Sequence, residues 1–168
     1  MTEPINDPLY WKQRLVTAQE RHHSIFRCDK ERWLRIEAKH RKILAETIHP
    51  EQTVLDAGCG YGRLLDLMPR DWRGYYQGID LSPAFIDLAR REHPRNAFLV
   101  SDLRMIPMLS VTFDWASLIS IRPMGRRNLG DDKWGKMEME LKRVANRLLF
   151  LEYDEDDLGE VVPNFQTC

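Results

Sequence analysis

Between Val54 and Arg63 the chain runs through Val54-Leu55-Asp56-Ala57 and then places glycine at every second position, Gly58, Gly60 and Gly62, before a helical pattern begins. A short apolar run is a buried strand, and glycines without Cβ let the backbone turn sharply and let a ligand approach the main chain. A helix start just beyond the turn supplies amide groups that favour an anion. Gly58 and Gly60 fit the start of a dinucleotide-binding G-x-G-x-x-G turn, but Arg63 stands where its third glycine belongs, so a nicotinamide cofactor is disfavoured.

The rest of the chain repeats this strand-then-helix alternation. Short apolar runs near 53–57, 75–79, 97–100, 113–119 and 148–153 are separated by helical segments, which predicts parallel strands joined by right-handed crossovers. Helices are expected over Tyr61 to Met68, from Ser82-Pro83 to about Glu92, and from Asp131 or Asp132 to about Asn146. Two helices precede the first strand. Asp7-Pro8 opens one with Trp11, Leu15, Ala18, His22 and Ile25 on its inner face; Asp29 opens another with Trp33, Ile36, His40, Ile43 and Thr47 inward and Pro50 after its end. The fold class is α/β, a Rossmann-like parallel sheet of about five strands. A single domain is expected, with a helical cap over 1–49, a core over 50–153 and an acidic tail over 154–168. The residues after Tyr153 are too few for a further crossover helix and two strands.

At 168 residues one core suffices, and no apolar run reaches the length of a membrane span. Without a basic start and apolar stretch at the N-terminus, a cytoplasmic location is expected. Cys28, Cys59 and Cys168 form no C-x-x-C pair, so they are expected as reduced thiols and no metal site is expected. The net charge of -1 conceals ten Lys or Arg against four Asp or Glu over residues 12–42, and six acids without a base over 152–160. The basic stretch reads first as a solvated helix surface and second as a surface for an anionic partner.

Carboxylates recur at the predicted strand ends. Asp80 closes Gly78-Ile79-Asp80-Leu81-Ser82, 22 positions after Gly58, where a carboxylate can accept hydrogen bonds from two ribose hydroxyls; Ser101-Asp102-Leu103 closes the third strand. The ordered set Asp56, Gly58, Gly60 and Gly62, then Asp80, then Asp102, with Phe113-Asp114 and Glu140-Leu141-Lys142-Arg143-Val144 later, resembles the class I S-adenosylmethionine-dependent methyltransferases over roughly residues 50 to 153. The resemblance implies S-adenosylmethionine as cofactor and S-adenosylhomocysteine as product. Its implied contacts are the turn residues Asp56, Gly58, Cys59, Gly60, Gly62 and Arg63, then Asp80, Leu81 and Ser82, then Ser101, Asp102 and Leu103, with Ser120 after strand four. Arg63 would reach the methionine carboxylate, Leu81 would cover one adenine face, and Tyr10 and Trp11 would form a lid.

Two departures bear on the acceptor. The family's sheet has seven strands ending in an antiparallel hairpin, and this chain is expected to lack it. Ser120-Ile121-Arg122-Pro123 is not the Asn/Asp-Pro-Pro-Tyr/Phe motif of base amino methylation, and no Pro-Cys nucleophile is present. Arg122, Met124, Arg126 and Arg127 after strand four, with Trp134, are the candidate acceptor contacts, and three arginines suit an anionic small molecule. His22, His23 and His40 are the candidate bases, although His22 and His40 fall on apolar faces where a hydrogen-bonded core histidine is the commoner outcome. The expected activity is methyl transfer to a small acceptor. The alternatives are a non-catalytic cofactor-binding or partner subunit, with a protein partner or second copy at the shortened sheet edge, and an RNA or DNA methyltransferase using the basic helices.

Overall fold

The computed structural model describes residues 7–18, 24, 28–119 and 130–152, and the backbone of 160–163. The elements are α1 (Pro8–Thr17), α2 (Lys30–Thr47), β1 (Val54–Ala57), α3 (Arg63–Leu67), β2 (Tyr76–Asp80), α4 (Pro83–Glu92), β3 (Ala97–Val100), β4 (Phe113–Ile119), α5 (Asp131–Val144), β5 (Ala145–Leu151) and β6 (Glu160–Pro163).

Local chemistry starts the helices. Asp7 accepts from the Leu9 amide at 2.8 Å and Asp29 from the Arg32 amide at 2.8 Å. Ser82 caps α4 through the Phe85 amide, with Pro83 at the first helical position. The strand order is β3-β2-β1-β4-β5-β6, with β1 to β5 mutually parallel and β6 antiparallel to β5. Chain order reverses at β1, whose neighbours are β2 and β4, and ligands in such sheets bind beyond the carboxyl ends at that switch point.

Side chains alternate across the sheet. Val54, Tyr76, Phe98, Trp115, Leu149 and Leu151 meet Leu44 and Ile48 at α2, Leu64 and Leu67 of α3, and Ile86 and Ala89 of α4. Leu55, Ala57, Ile79, Ala116, Leu118, Leu148 and Phe150 meet Trp134, Met137 and Leu141 of α5, with Ile106 from the β3–β4 loop. The edge of β1 is pinned to β4 by Asp114, whose Oδ2 accepts from the Thr53 amide at 2.8 Å and the Thr53 hydroxyl at 2.9 Å.

Four expectations are corrected. α1 ends at Thr17, whose hydroxyl turns back to the Gln13 carbonyl, and Ala18 is extended, so the apolar period outruns the helix. The inner stripe of α2 is Trp33, Ile36, His40 and Leu44, with Ile43 partly buried beside it, so Leu44 and not Thr47 is the last fully buried position of the helix. β5 starts at Ala145 because α5 runs directly into it; exposed Asn146 and Arg147 hide the strand's apolar signal, and Arg147 lies 5.2 Å over the Trp115 ring on the neighbouring strand. The expected acidic tail contains β6, so the sheet ends in an antiparallel pair. A parallel strand would have needed a long crossover, whereas an antiparallel one needs only a short return, and Val161 and Val162 suit a strand.

Candidate active site

β1 delivers Asp56 to the carboxyl edge of the sheet, 2% exposed, where its Oδ2 accepts the Tyr76 hydroxyl at 2.7 Å. Burial pushes the Asp56 carboxyl up to about 7; the neighbouring Asp80 charge acts in the same direction, and the Tyr76 hydrogen bond and Arg63 oppose it. The Gly58 and Cys59 amides both donate to the Ile79 carbonyl, at 2.8 and 2.9 Å, and the chain then leaves the sheet. Gly58, Gly60 and Gly62 have φ of 75°, 54° and 85°, the left-handed region that side chains rarely tolerate.

Asp80 ties this turn to the next. Its Oδ2 accepts from the Gly60 amide at 2.9 Å and its Oδ1 from the Ser82 amide at 2.8 Å. A carboxylate offers about four acceptor directions, so these amides leave room for a further donor. Burial raises the Asp80 pKa, while the amides of Ser82 and Gly60 hold it down. Behind the turn, a Cβ on Gly78 would come within 2.6 Å of Phe98 Cδ1 and 2.9 Å of Cys59 Sγ. Cys59 therefore points inward, and burial raises its thiol pKa well above the usual value, so only its backbone faces the turn.

The Ser101 amide donates to the Asp80 carbonyl at 2.9 Å, bringing the end of β3 beside the same edge. Asp102 accepts from the Arg104 amide at 2.9 Å and forms a two-pronged pair with the Arg104 guanidinium, which lowers its pKa. Leu103 is half-buried against the α5 side of the core, and Leu81 is half-buried after Asp80. Trp11 lies 6.2 Å from Phe85 in the first turn of α4 and 5.1 Å from Tyr10, so the aromatic pair packs α1 against the start of α4.

Arg63 packs against α2. It is 3% exposed, stacked 4.4 Å over the Trp33 ring, 3.5 Å from Glu37 and 3.2 Å from His40 Nδ1. His40 Nε2 lies 2.8 Å from the Glu152 carbonyl at the end of β5. Arginine only donates, so Nδ1 accepts and Nε2 carries the proton given to Glu152. Burial, with the Arg63 charge, lowers the His40 pKa to about 4. Trp134 is 4% exposed in the core, with its indole N–H on Glu138, and anchors α5. His22, His23, Ser120, Arg122, Met124, Arg126 and Arg127 lie outside the described residues.

Tyr76, Glu37 and Glu152 were not among the expected site residues. Tyr76 begins a strand and reads as core, and Glu37 and Glu152 acquire their roles only when α2 and β5 meet at Arg63 and His40; no local motif marks them.

The Methyltransferase domain family matches residues 54–146. Ribosomal protein L11 methyltransferase of Burkholderia thailandensis is 43% identical over 53 residues, 32% of this chain and 18% of that protein. Malonyl-[acyl-carrier protein] O-methyltransferase of Serratia marcescens is 32% identical over 66 residues, 39% of this chain and 26% of that protein. The matched stretches thus amount to about a quarter or less of these relatives' length. Among solved structures, the PH0226 protein of Pyrococcus horikoshii superposes with TM-score 0.63 at 21% identity, over 79% of this chain and 66% of that one. Phosphoethanolamine N-methyltransferase 1 of Haemonchus contortus, solved with S-adenosylhomocysteine, superposes with TM-score 0.65 at 14% identity, over 89% of this chain and 32% of that one. With its glycine turn and strand-end carboxylate at the switch point of the sheet, the chain belongs to the Rossmann-like, class I S-adenosylmethionine-dependent methyltransferase family.

Proposed function

We propose that this protein transfers a methyl group from S-adenosylmethionine to a small acceptor, releasing S-adenosylhomocysteine. One observation carries the reading: the Asp80 carboxylate, at the switch point of the sheet, is bonded to Gly60 in the left-handed turn and to Ser82. The bound cofactor supplies a methyl group already made electrophilic by its sulfonium.

The chain's own residues then bind, orient and exclude water. The turn from Asp56 to Gly62 admits the methionine moiety against its backbone, and Asp80 accepts the ribose hydroxyls. Leu81, Ser101 and the Asp102–Leu103 corner flank the base, and Tyr10 and Trp11 cover it. Alignment of an acceptor for in-line attack is the main catalytic demand. His40 does not serve as the base in this reading, because Nε2 is committed to the Glu152 carbonyl and Nδ1 faces Arg63. Arg63 is engaged by Trp33, Glu37 and His40, so in this reading it is not assigned to the methionine carboxylate. Arg122, Arg126 and Arg127, which lie outside the described residues, are the proposed acceptor contacts, and their charges suit an anionic group. A cytoplasmic setting is part of this reading, and among the described residues no helix is long and apolar enough to cross a membrane.

A second reading has support of its own, a subunit that works with a protein partner. A methyltransferase of Haloferax volcanii solved with the Trm112 activator superposes with TM-score 0.59 at 17% identity, over 89% of this chain and 59% of that one. Among the described residues β6 has a strand neighbour on one side only, which leaves an edge for added backbone.

Calorimetric titration with S-adenosylmethionine and S-adenosylhomocysteine tests the first reading, with Asp80→Ala alongside. Micromolar binding that the variant loses supports it. Absence of binding by the intact chain overturns it and favours a partner-dependent site.

A further inference from the structure

The loop from residue 101 to 112 joins β3 to β4 without secondary structure of its own, and loops of that length need outside ties to hold one shape. α5 supplies them from one pair of residues. Arg143 donates through Nη1 to the Met108 carbonyl at 2.7 Å and through Nη2 to the Ile106 carbonyl at 2.8 Å. Glu140 Oε2 accepts the Ile106 amide at 2.9 Å. The two side chains grip each other in a bidentate pair, Arg143 Nε to Glu140 Oε1 and Arg143 Nη2 to Glu140 Oε2, both at 2.7 Å. Hydrogen bonding to Arg143 lowers the Glu140 pKa, so the pair is charged at neutral pH.

The clamp bears on the site through one short turn. The Met105 amide closes on the Asp102 carbonyl at 3.0 Å, and the next residue, Ile106, is the one gripped by both Glu140 and Arg143. At the other end Ser101 hangs from the Asp80 carbonyl at 2.9 Å. The Asp102–Met105 turn is therefore suspended between the ribose carboxylate strand and α5. Beyond it, Val111 sits at φ 52°, a left-handed conformation that a β-branched residue adopts only under constraint, with its amide on the Arg143 carbonyl at 2.8 Å. The surroundings impose the loop's path.

We propose that Glu140 and Arg143 are positioning residues for the adenine side of the cofactor site, holding the Asp102–Leu103 corner in place through Ile106 and Met108. This rests on the reading of the chain as a cofactor-binding methyltransferase. Neither residue touches the ligand; both act through the loop. An acidic group and an arginine one helical turn apart supply one acceptor and a fork of donors, which a turn presenting alternating amide and carbonyl groups requires.

The test compares the intact chain with Arg143→Met and Glu140→Gln, titrating each with S-adenosylhomocysteine and with its inosine analogue, in which the adenine amino group is replaced by oxygen. Far-ultraviolet circular dichroism verifies folding, and Glu140→Gln, which keeps an acceptor for the Ile106 amide, decides if Arg143→Met does not fold. The expected result is that S-adenosylhomocysteine binding weakens about tenfold, corresponding to about 1.4 kcal/mol, while the inosine analogue loses less, so the preference for adenine narrows. A general loss of fold would weaken both ligands equally. Unchanged affinity and an unchanged ratio in a folded variant overturn the inference and leave the cofactor reading standing. Failure of the intact chain to bind either ligand overturns both.

Discussion

His40 carries a consequence for stability that can be measured without knowing the acceptor. Its ring is 3% exposed, with Nε2–H on the Glu152 carbonyl and Nδ1 facing the Arg63 guanidinium at 3.2 Å. A second proton would have to enter at Nδ1, against an arginine that is always charged, in a site stripped of water. The folded-state pKa is lowered from 6.5 to about 4. Between these values the unfolded chain binds the proton more readily than the folded one, so stability is complete above pH 6.5 and is lost as the pH falls toward 4. At about 1.36 kcal/mol for each pH unit of displacement, the loss approaches about 3 kcal/mol. The perturbation is His40→Gln, whose amide has a donor and an acceptor but does not titrate in this range. Urea unfolding of both proteins at a series of pH values gives the difference in stability, in which the titrations of all other groups cancel to first order. The wild-type chain is expected to lose about 3 kcal/mol relative to the variant across the window, on top of a constant offset for lost fit. A difference that does not change with pH refutes the argument.

Asp56 produces the opposite slope. Its folded pKa, raised to about 7, makes the folded chain the better proton binder, so its contribution falls as the pH rises from 3.8 toward 7, and Asp56→Asn is expected to flatten that part of the urea-unfolding profile. Gly78→Ala introduces a Cβ 2.6 Å from Phe98 Cδ1 and 2.9 Å from Cys59 Sγ; a loss of about 1–3 kcal/mol in thermal or urea unfolding is expected, with weaker cofactor binding because Cys59 lies in the turn. Asp114→Ala removes the acceptor of the Thr53 amide and hydroxyl; a loss of about 1.5–3 kcal/mol is expected by the same unfolding assay.

What could be read in the sequence was whatever neighbours in the chain decide. Asp7, Asp29 and Ser82 cap helices because a short side-chain oxygen reaches an amide two or three residues on, and the glycine turn announces itself because only those residues tolerate its φ values. The strand pattern over 75–79 marks Asp80 as the end of β2. Partnerships across the chain were hidden. Arg63 reads as a residue aimed at a ligand until α2 brings Trp33, Glu37 and His40 against it. Trp134 reads as an acceptor contact until α5 buries it in the core. β6 is hidden because the residues after Tyr153 are too few for a parallel crossover, whereas the antiparallel return from β5 needs far less chain.

The bridge that Asp80 makes between the Gly60 and Ser82 amides also bears on how a ligand would arrive. Two turns that would otherwise fluctuate independently are already locked to one carboxylate, so little chain entropy is left for a cofactor to remove on docking. Association then approaches a rigid-body encounter, with the measured heat reporting the contacts made and not the ordering of loops. A site built in this way gives up adaptability in exchange for a receptor that is in its binding shape before the ligand comes.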